Sequence, residues 1–144
     1  ALGRDHESMT TLPDHLTNID EADDEQPYRM VTAPARNYLN SSFTETPTSI
    51  ASEKRPTVLV HPEDMADIGI ETGDRVRVGN RRANVLVHAK SFDGVQQGVV
   101  VVESVWPNRA FEEGVGINAL VSAEPGAPNG GAVYHDTAVW LRPA

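Results

Sequence analysis

The stretch Thr57-Val58-Leu59-Val60-His61-Pro62-Glu63-Asp64-Met65-Ala66-Asp67-Ile68-Gly69 sets the architecture, because it passes from a β-branched run into a helix with both ends marked. Pro62 suits the first helical position, Glu63 and Asp64 sit at the positive end of the helix dipole, and Gly69 can take the left-handed conformation that closes a helix. A helix of about two turns is expected over 61–69, with Met65 and Ile68 on its buried side. Downstream, Glu71-Thr72-Gly73-Asp74 is turn chemistry, and Val76 and Val78 then alternate with Arg75 and Arg77 as in a half-buried strand. Asn80-Arg81-Arg82 turns the chain into 83–89, where Val85 and Val87 share one face and Asn84, Leu86 and His88 the other. The run Val99-Val100-Val101-Val102 reads as a strand buried on both faces. Loops rich in Gly, Pro and Asn fill 107–131, broken by an apolar stretch at 117–121, and a last strand is expected over 132–141. Upstream, Tyr28, Met30 and Thr32 alternate with Arg29, Val31 and Ala33 until Ala33-Pro34 ends that strand.

About six short strands, one well-marked helix and closely spaced turns predict a mainly β domain, a closed barrel with a helical insertion rather than alternating βαβ units. At 144 residues and 39% hydrophobic, the chain can bury one core. No apolar run reaches the roughly 20 residues needed to span a bilayer, so no membrane segment is expected. The absence of cysteine excludes disulfides, thiolate metal sites and a cysteine nucleophile here.

Charge divides the chain. Residues 1–26 hold eight acidic side chains against Arg4 alone, a net −7, which leaves only −2 of the total −9 for the remaining 118 residues. With no steady apolar period, 1–26 is expected to be an acidic flexible linker or tail, and 27–144 the folded domain. The near-neutral domain does not repel an anionic ligand, and nothing suggests a nucleic-acid partner. The start at Ala1 reads as a cut, so the compartment stays open between cytoplasm and periplasm: a signal upstream would not be visible.

No self-sufficient active site is legible. His6 and His15 fall in the acidic segment, and His61, His88 and His135 are scattered without metal-ligand spacing. There is no glycine-flanked nucleophile serine, phosphate-loop lysine or spaced-glycine dinucleotide fingerprint, and no carboxylate lies within an apolar segment. Neither catalytic nor metal-ligating residues are therefore assigned. The segment Thr32-Ala33-Pro34-Ala35-Arg36-Asn37-Tyr38-Leu39-Asn40-Ser41-Ser42-Phe43 is different. Arg36 offers a planar fork of donors for phosphate, Ser41 and Ser42 offer hydroxyls, and Asn37 and Asn40 can donate and accept together, as a pterin or purine edge requires. A polar loop that satisfies its own backbone is the competing reading, and these residues alone do not choose. Asn118, inside Gly116-Ile117-Asn118-Ala119-Leu120, needs partners if buried, and His135, between Tyr134 and Asp136, can lean on either neighbour or serve simply as a strand residue. Trp106 is a core or loop anchor, or a surface for a flat cofactor.

An ordered series of short motifs runs from Tyr28-Arg29-Met30-Val31-Thr32 through Leu39-Asn40-Ser41-Ser42-Phe43, His61-Pro62-Glu63-Asp64, Gly73-Asp74-Arg75-Val76, Gly98-Val99-Val100, Trp106 and Asn118-Ala119-Leu120 to Tyr134-His135-Asp136-Thr137. In this order it resembles the C-terminal domain of the dimethyl sulfoxide reductase family of molybdenum- and tungsten-dependent oxidoreductases. The resemblance implies a double-psi β barrel that closes over a molybdopterin guanine dinucleotide carrying molybdenum or tungsten, the remaining domains of a parent oxidoreductase supplying the metal's protein ligand and the substrate path. It places the cofactor along Thr32, Ala33, Pro34, Arg36, Asn37, Asn40, Ser41 and Ser42, with further contacts from Asn118 and from His135 on the last strand. It implies positioning rather than catalysis, so the isolated domain is expected to be inactive. Arg81-Arg82-Ala83 departs from the pattern, with alanine where relatives often place glycine. Two other readings stay open: an interaction or assembly barrel without cofactor, favoured if Arg36, Asn40 and Ser42 are buried in their own loop, and a small hydrolase using Asp64 and Asp74.

Overall fold

Valine alternation is what closes this molecule. In the computed structural model, which describes residues 20–126, 130–135 and 137–144, six strands form one closed barrel. They are β1 (Tyr28–Pro34), β2 (Thr57–Val60), β3 (Arg75–Gly79), β4 (Asn84–Ser91), β5 (Val99–Ser104) and β6 (Thr137–Pro143). Their order around the barrel is β1-β5-β2-β4-β3-β6, with β1/β5 and β2/β4 parallel and the other neighbours antiparallel. This matches the mainly β, six-stranded closed barrel expected, and the two parallel pairs are consistent with a double-psi arrangement. Val58, Val60, Val76, Val78, Val85, Val87, Val100, Val102 and Val139 point inward and are fully buried with Met30 and Leu120. Each such valine contributes roughly 1.5 kcal/mol or more.

The helix read from the sequence is α2 (Pro62–Ile68). His61 caps it by accepting a bond from the Glu63 amide on Nδ1, and Gly69 (φ 76°) ends it, its amide bonding back to Met65 and Ala66. A second helix, α1 (Pro47–Glu53), was not legible: it buries no residue, so it leaves no apolar stripe. Two short 3₁₀ segments follow β5, at Asn108–Ala110 and Ile117–Leu120.

Three expectations need correction in detail. The valine run of β5 is not buried on both faces, since Val99 and Val101 are only half-buried; a barrel wall without an outer layer leaves alternate residues toward solvent. The last strand begins at Thr137 rather than 132, where pairing with Met30 starts, and ends later, at Pro143. Leu86, read on the face of Asn84 and His88, is buried like Val85 and Val87 on the other, and lines a hollow with Ala110 and Phe111. Most of 1–26 lies outside the described residues, yet its described end sits on the turn between β3 and β4. Arg82 makes a paired contact with Asp20 (2.6 and 2.9 Å), Arg81 meets Asp23 and Glu25, and buried Gln26 accepts from the Arg81 amide. The Arg82 bond holds the Asp20 carboxyl below the usual carboxylate range.

Candidate functional site

Strand directions decide which loops meet. Because β5 runs parallel to β1 and β6 antiparallel to it, the connection leaving β1, the connection from β5 to β6 and the β3–β4 turn all emerge at one end of the barrel. The loop from Pro34 to Ser42, Asn118 in the second 3₁₀ segment and His135 before β6 therefore belong to the same end. The opposite end carries α2 and the β4–β5 connection.

Within the first connection the polar residues divide by partner. Asn37 is committed to the protein: its backbone amide (2.6 Å) and side-chain amide (2.8 Å) both donate to one carboxylate oxygen of Glu53, so α1 braces the loop. Arg109 and Glu45 form an ion pair that ties the loop to the first 3₁₀ segment. Arg36, Asn40, Ser41 and Ser42 are exposed, and their side chains make no hydrogen bond or ion pair with the described residues. The Leu39–Ser42 backbone bridge, with Asn40 in the left-handed region at φ 51°, presents them at the loop's tip. Burial of Arg36, Asn40 and Ser42 within their own loop, which would favour the assembly-module reading, is not what forms. Thr32 and Ala33 are half-buried and Pro34 is exposed, so the loop leaves from a wall, not from a pit.

Asn118 and His135 are both exposed. Asn118 therefore needs no internal partner: Ile117 and Leu120 take the buried face of the 3₁₀ segment. The Leu120 carbonyl holds this segment to the β3–β4 turn by accepting from buried Asn80 (2.8 Å). His135 precedes β6, so it occupies a bend and not the strand position expected for it.

The remaining titratable candidates are structural. Asp64 is buried and accepts from the Gly98 amide (2.8 Å), and Asp74 accepts from the Glu71 amide (2.8 Å), which spends both carboxylates needed by the hydrolase reading. His88, beside Glu112 at 3.3 Å, is held below its ordinary pKa by burial and then by nearby Arg55. It lines an outer-wall groove of about 300 Å³ with Thr57, Glu103 and Trp106, a groove that contains none of Arg36, Asn40, Ser41 and Ser42. Among the described residues no group of three His, Asp or Glu is placed to hold a metal.

Sequence reading assigned no role to Tyr38. It is buried against Trp106, ring centroids 5.1 Å apart and edge-on, in a loop whose polarity suggested exposure throughout. A tyrosine amid Arg, Asn and Ser was the available signal.

Known proteins share this sequence pattern and this barrel. A sequence family described as the molydopterin dinucleotide binding domain matches residues 28–138. A probable oxidoreductase YoaE of Bacillus subtilis is 31% identical over 112 residues, covering 78% of this chain and 16% of its own length. The catalytic chain of a putative dimethyl sulfoxide reductase of Halobacterium salinarum is 34% identical, covering 70% of this chain and 12% of its own length. Among solved structures, an acetylene hydratase from Pelobacter acetylenicus superimposes with a TM-score of 0.70 at 12% identity, over 83% of this chain and 19% of that one. The chain thus spans only a small part of the relatives it matches.

Proposed function

The chain belongs to the molydopterin dinucleotide-binding domain family, and we propose that it forms one wall of the cofactor cleft in a larger molybdenum- or tungsten-dependent oxidoreductase. The ligand is molybdopterin guanine dinucleotide, which supplies the metal center for redox chemistry when bound. This chain's share is binding and orientation, with the parent's other domains completing the cleft; nucleic acid has no part in it. Arg36 supplies a planar positive fork for phosphate oxygens, Ser41 and Ser42 short hydroxyl donors, and Asn40 and Asn118 amides matched to the donor and acceptor edge of a heterocycle. Thr32, Ala33 and Pro34 form the rim from which the loop departs, Asn37 braces that loop through Glu53, and His135 closes the far side.

The observation that carries this reading is that Arg36, Asn40, Ser41 and Ser42 stand exposed, without a partner among the described residues, at the barrel end shared with Asn118 and His135. These groups fit a polar, anionic, flat ligand. The test is a full-length parent carrying Ser41→Ala, Ser42→Ala and Asn118→Ala together. Its dinucleotide content after purification should fall at least about tenfold, each lost hydrogen bond costing roughly 1 kcal/mol, with the unfolding midpoint of the cofactor-free form unchanged. Wild-type protein that contains no such dinucleotide would overturn the proposal.

A further inference from the structure

Tyr38 breaks the pattern of its loop. Arg36, Asn37, Leu39 and Asn40 are exposed, whereas Tyr38 retains 6% of its surface. Its ring packs on Trp106, yet its hydroxyl has no hydrogen-bond partner, the one buried side-chain nitrogen or oxygen in that state among the described residues. Phenylalanine would keep the ring contact without burying an unpaired donor, so tyrosine is the more costly choice in this conformation. Burial, and then the Glu53 carboxylate, push the phenol's pKa up and keep it a protonated donor.

The same connection concentrates backbone strain. Asn40 (φ 51°), Phe43 (φ 70°) and Lys54 (φ 67°) are the non-glycine residues of positive φ among the described residues, and all three lie between β1 and β2. Elsewhere that conformation falls to glycine. Leu39 and Phe43 also expose 65% and 57% of their surface at the loop's tip. Left-handed backbone at non-glycine residues, exposed apolar side chains and a donor without an acceptor thus coincide in one connection.

We infer that Tyr38 reads the bound ligand: when the dinucleotide enters, the loop turns about the Trp106 contact and the Tyr38 hydroxyl donates a hydrogen bond to an acceptor atom of the dinucleotide. The inference rests on the proposed function. It adds to the exposed polar groups a residue that is hidden until binding, and it explains a hydroxyl for which the free form has no use. Because the donor is unpaired beforehand, the bond formed on binding replaces none within the protein, and Tyr38 favours the bound conformation selectively.

The test is Y38F in the full-length parent, produced both in cells that make the pterin cofactor and in cells that cannot. Without cofactor, Y38F should melt at the wild-type temperature or above it. With cofactor, it should lose dinucleotide roughly fivefold faster during dilution, followed by pterin fluorescence after release, the change expected for one hydrogen bond. Opposite signs in the two forms are the signature, since a purely structural hydroxyl would lower both. Equal retention by Y38F and wild type, or a lower melting temperature without cofactor, overturns the inference and leaves the proposed function standing. Wild type that never carries the dinucleotide brings down both.

Discussion

Near α2, polar side chains are answered close to home; at the tip of the loop that follows β1, four of them face outward. Around α2, Asp64 holds the Gly98 amide, His61 caps the helix through the Glu63 amide, Gln97 donates to Glu63, and Asp74 closes its own turn. Across the barrel, Arg36, Asn40, Ser41 and Ser42 hold nothing among the described residues, and Tyr38 buries a hydroxyl without a partner. The α2 region spends its polar groups on its own backbone; the tip of the β1 loop leaves four of them available to the proposed ligand. On the proposed reading, this division suits a cofactor-positioning domain, in which a rigid base fixes the loops offered to the ligand.

The largest effect that would break the contrast is at Asp64. Asp64→Ala leaves the Gly98 amide unpaired and should lower unfolding free energy by about 1–3 kcal/mol in urea denaturation. Ser42→Ala should change it by less than about 0.5 kcal/mol. Equal losses would show that the exposed loop is as structural as the α2 end. A second pair turns on backbone conformation. Gly69→Ala, at φ 76° with open space around it, should destabilise by about 1 kcal/mol, whereas Asn40→Gly should stabilise by up to about 1 kcal/mol by relieving the left-handed conformation. Matching signs would mean that the loop's strain is not real.

A third test uses pH. Burial and Arg55 keep the folded pKa of His88 below its ordinary 6.5, despite the opposing Glu112 carboxylate. Below about pH 6.5 the unfolded chain therefore binds more protons than the folded one, so stability is full above that value and declines as pH falls toward the folded pKa. His88→Gln should flatten this slope in melting temperatures measured from pH 7.5 to 5.5; an unchanged slope would remove His88 from the account. The smallest effect belongs to the acidic strap. Asp20→Asn should cost no more than about 0.5 kcal/mol at low salt, because the Arg82 pair is partly exposed, and the loss should fade near 1 M salt. A loss that persists at high salt would point to packing rather than charge.

Local features were legible where one short segment carried the whole signal. The α2 helix announced itself because proline, two carboxylates and glycine occupy positions that act on their own backbone, and the barrel strands because alternating valines mark a face without reference to a partner. The α1 helix escaped because it buries nothing, and the start of β6 because it depends on meeting Met30. In the candidate site, Asn40, Ser41 and Ser42 were visible as chemistry. Tyr38 was not, since its burial is conferred by Trp106 from the distant β5–β6 connection. The exposure of Asn118 was equally hidden, because Ile117 and Leu120 claim the buried side of a 3₁₀ turn that their apolar spacing does not announce.

What the amino-acid sequence determined alone was the inventory: a mainly β chain, one capped helix, the inward faces of the valine strands and the polar character of the loop after β1. Only the tertiary structure decided that β1 lies between β5 and β6, that three connections leave by one end, and that Arg81 and Arg82 take up the acidic residues before the barrel. The reason is physical. Side-chain period and caps act within a few residues, whereas strand partners, buried hydroxyls and charge pairs depend on closing long loops, whose cost is recovered only by the whole packed barrel.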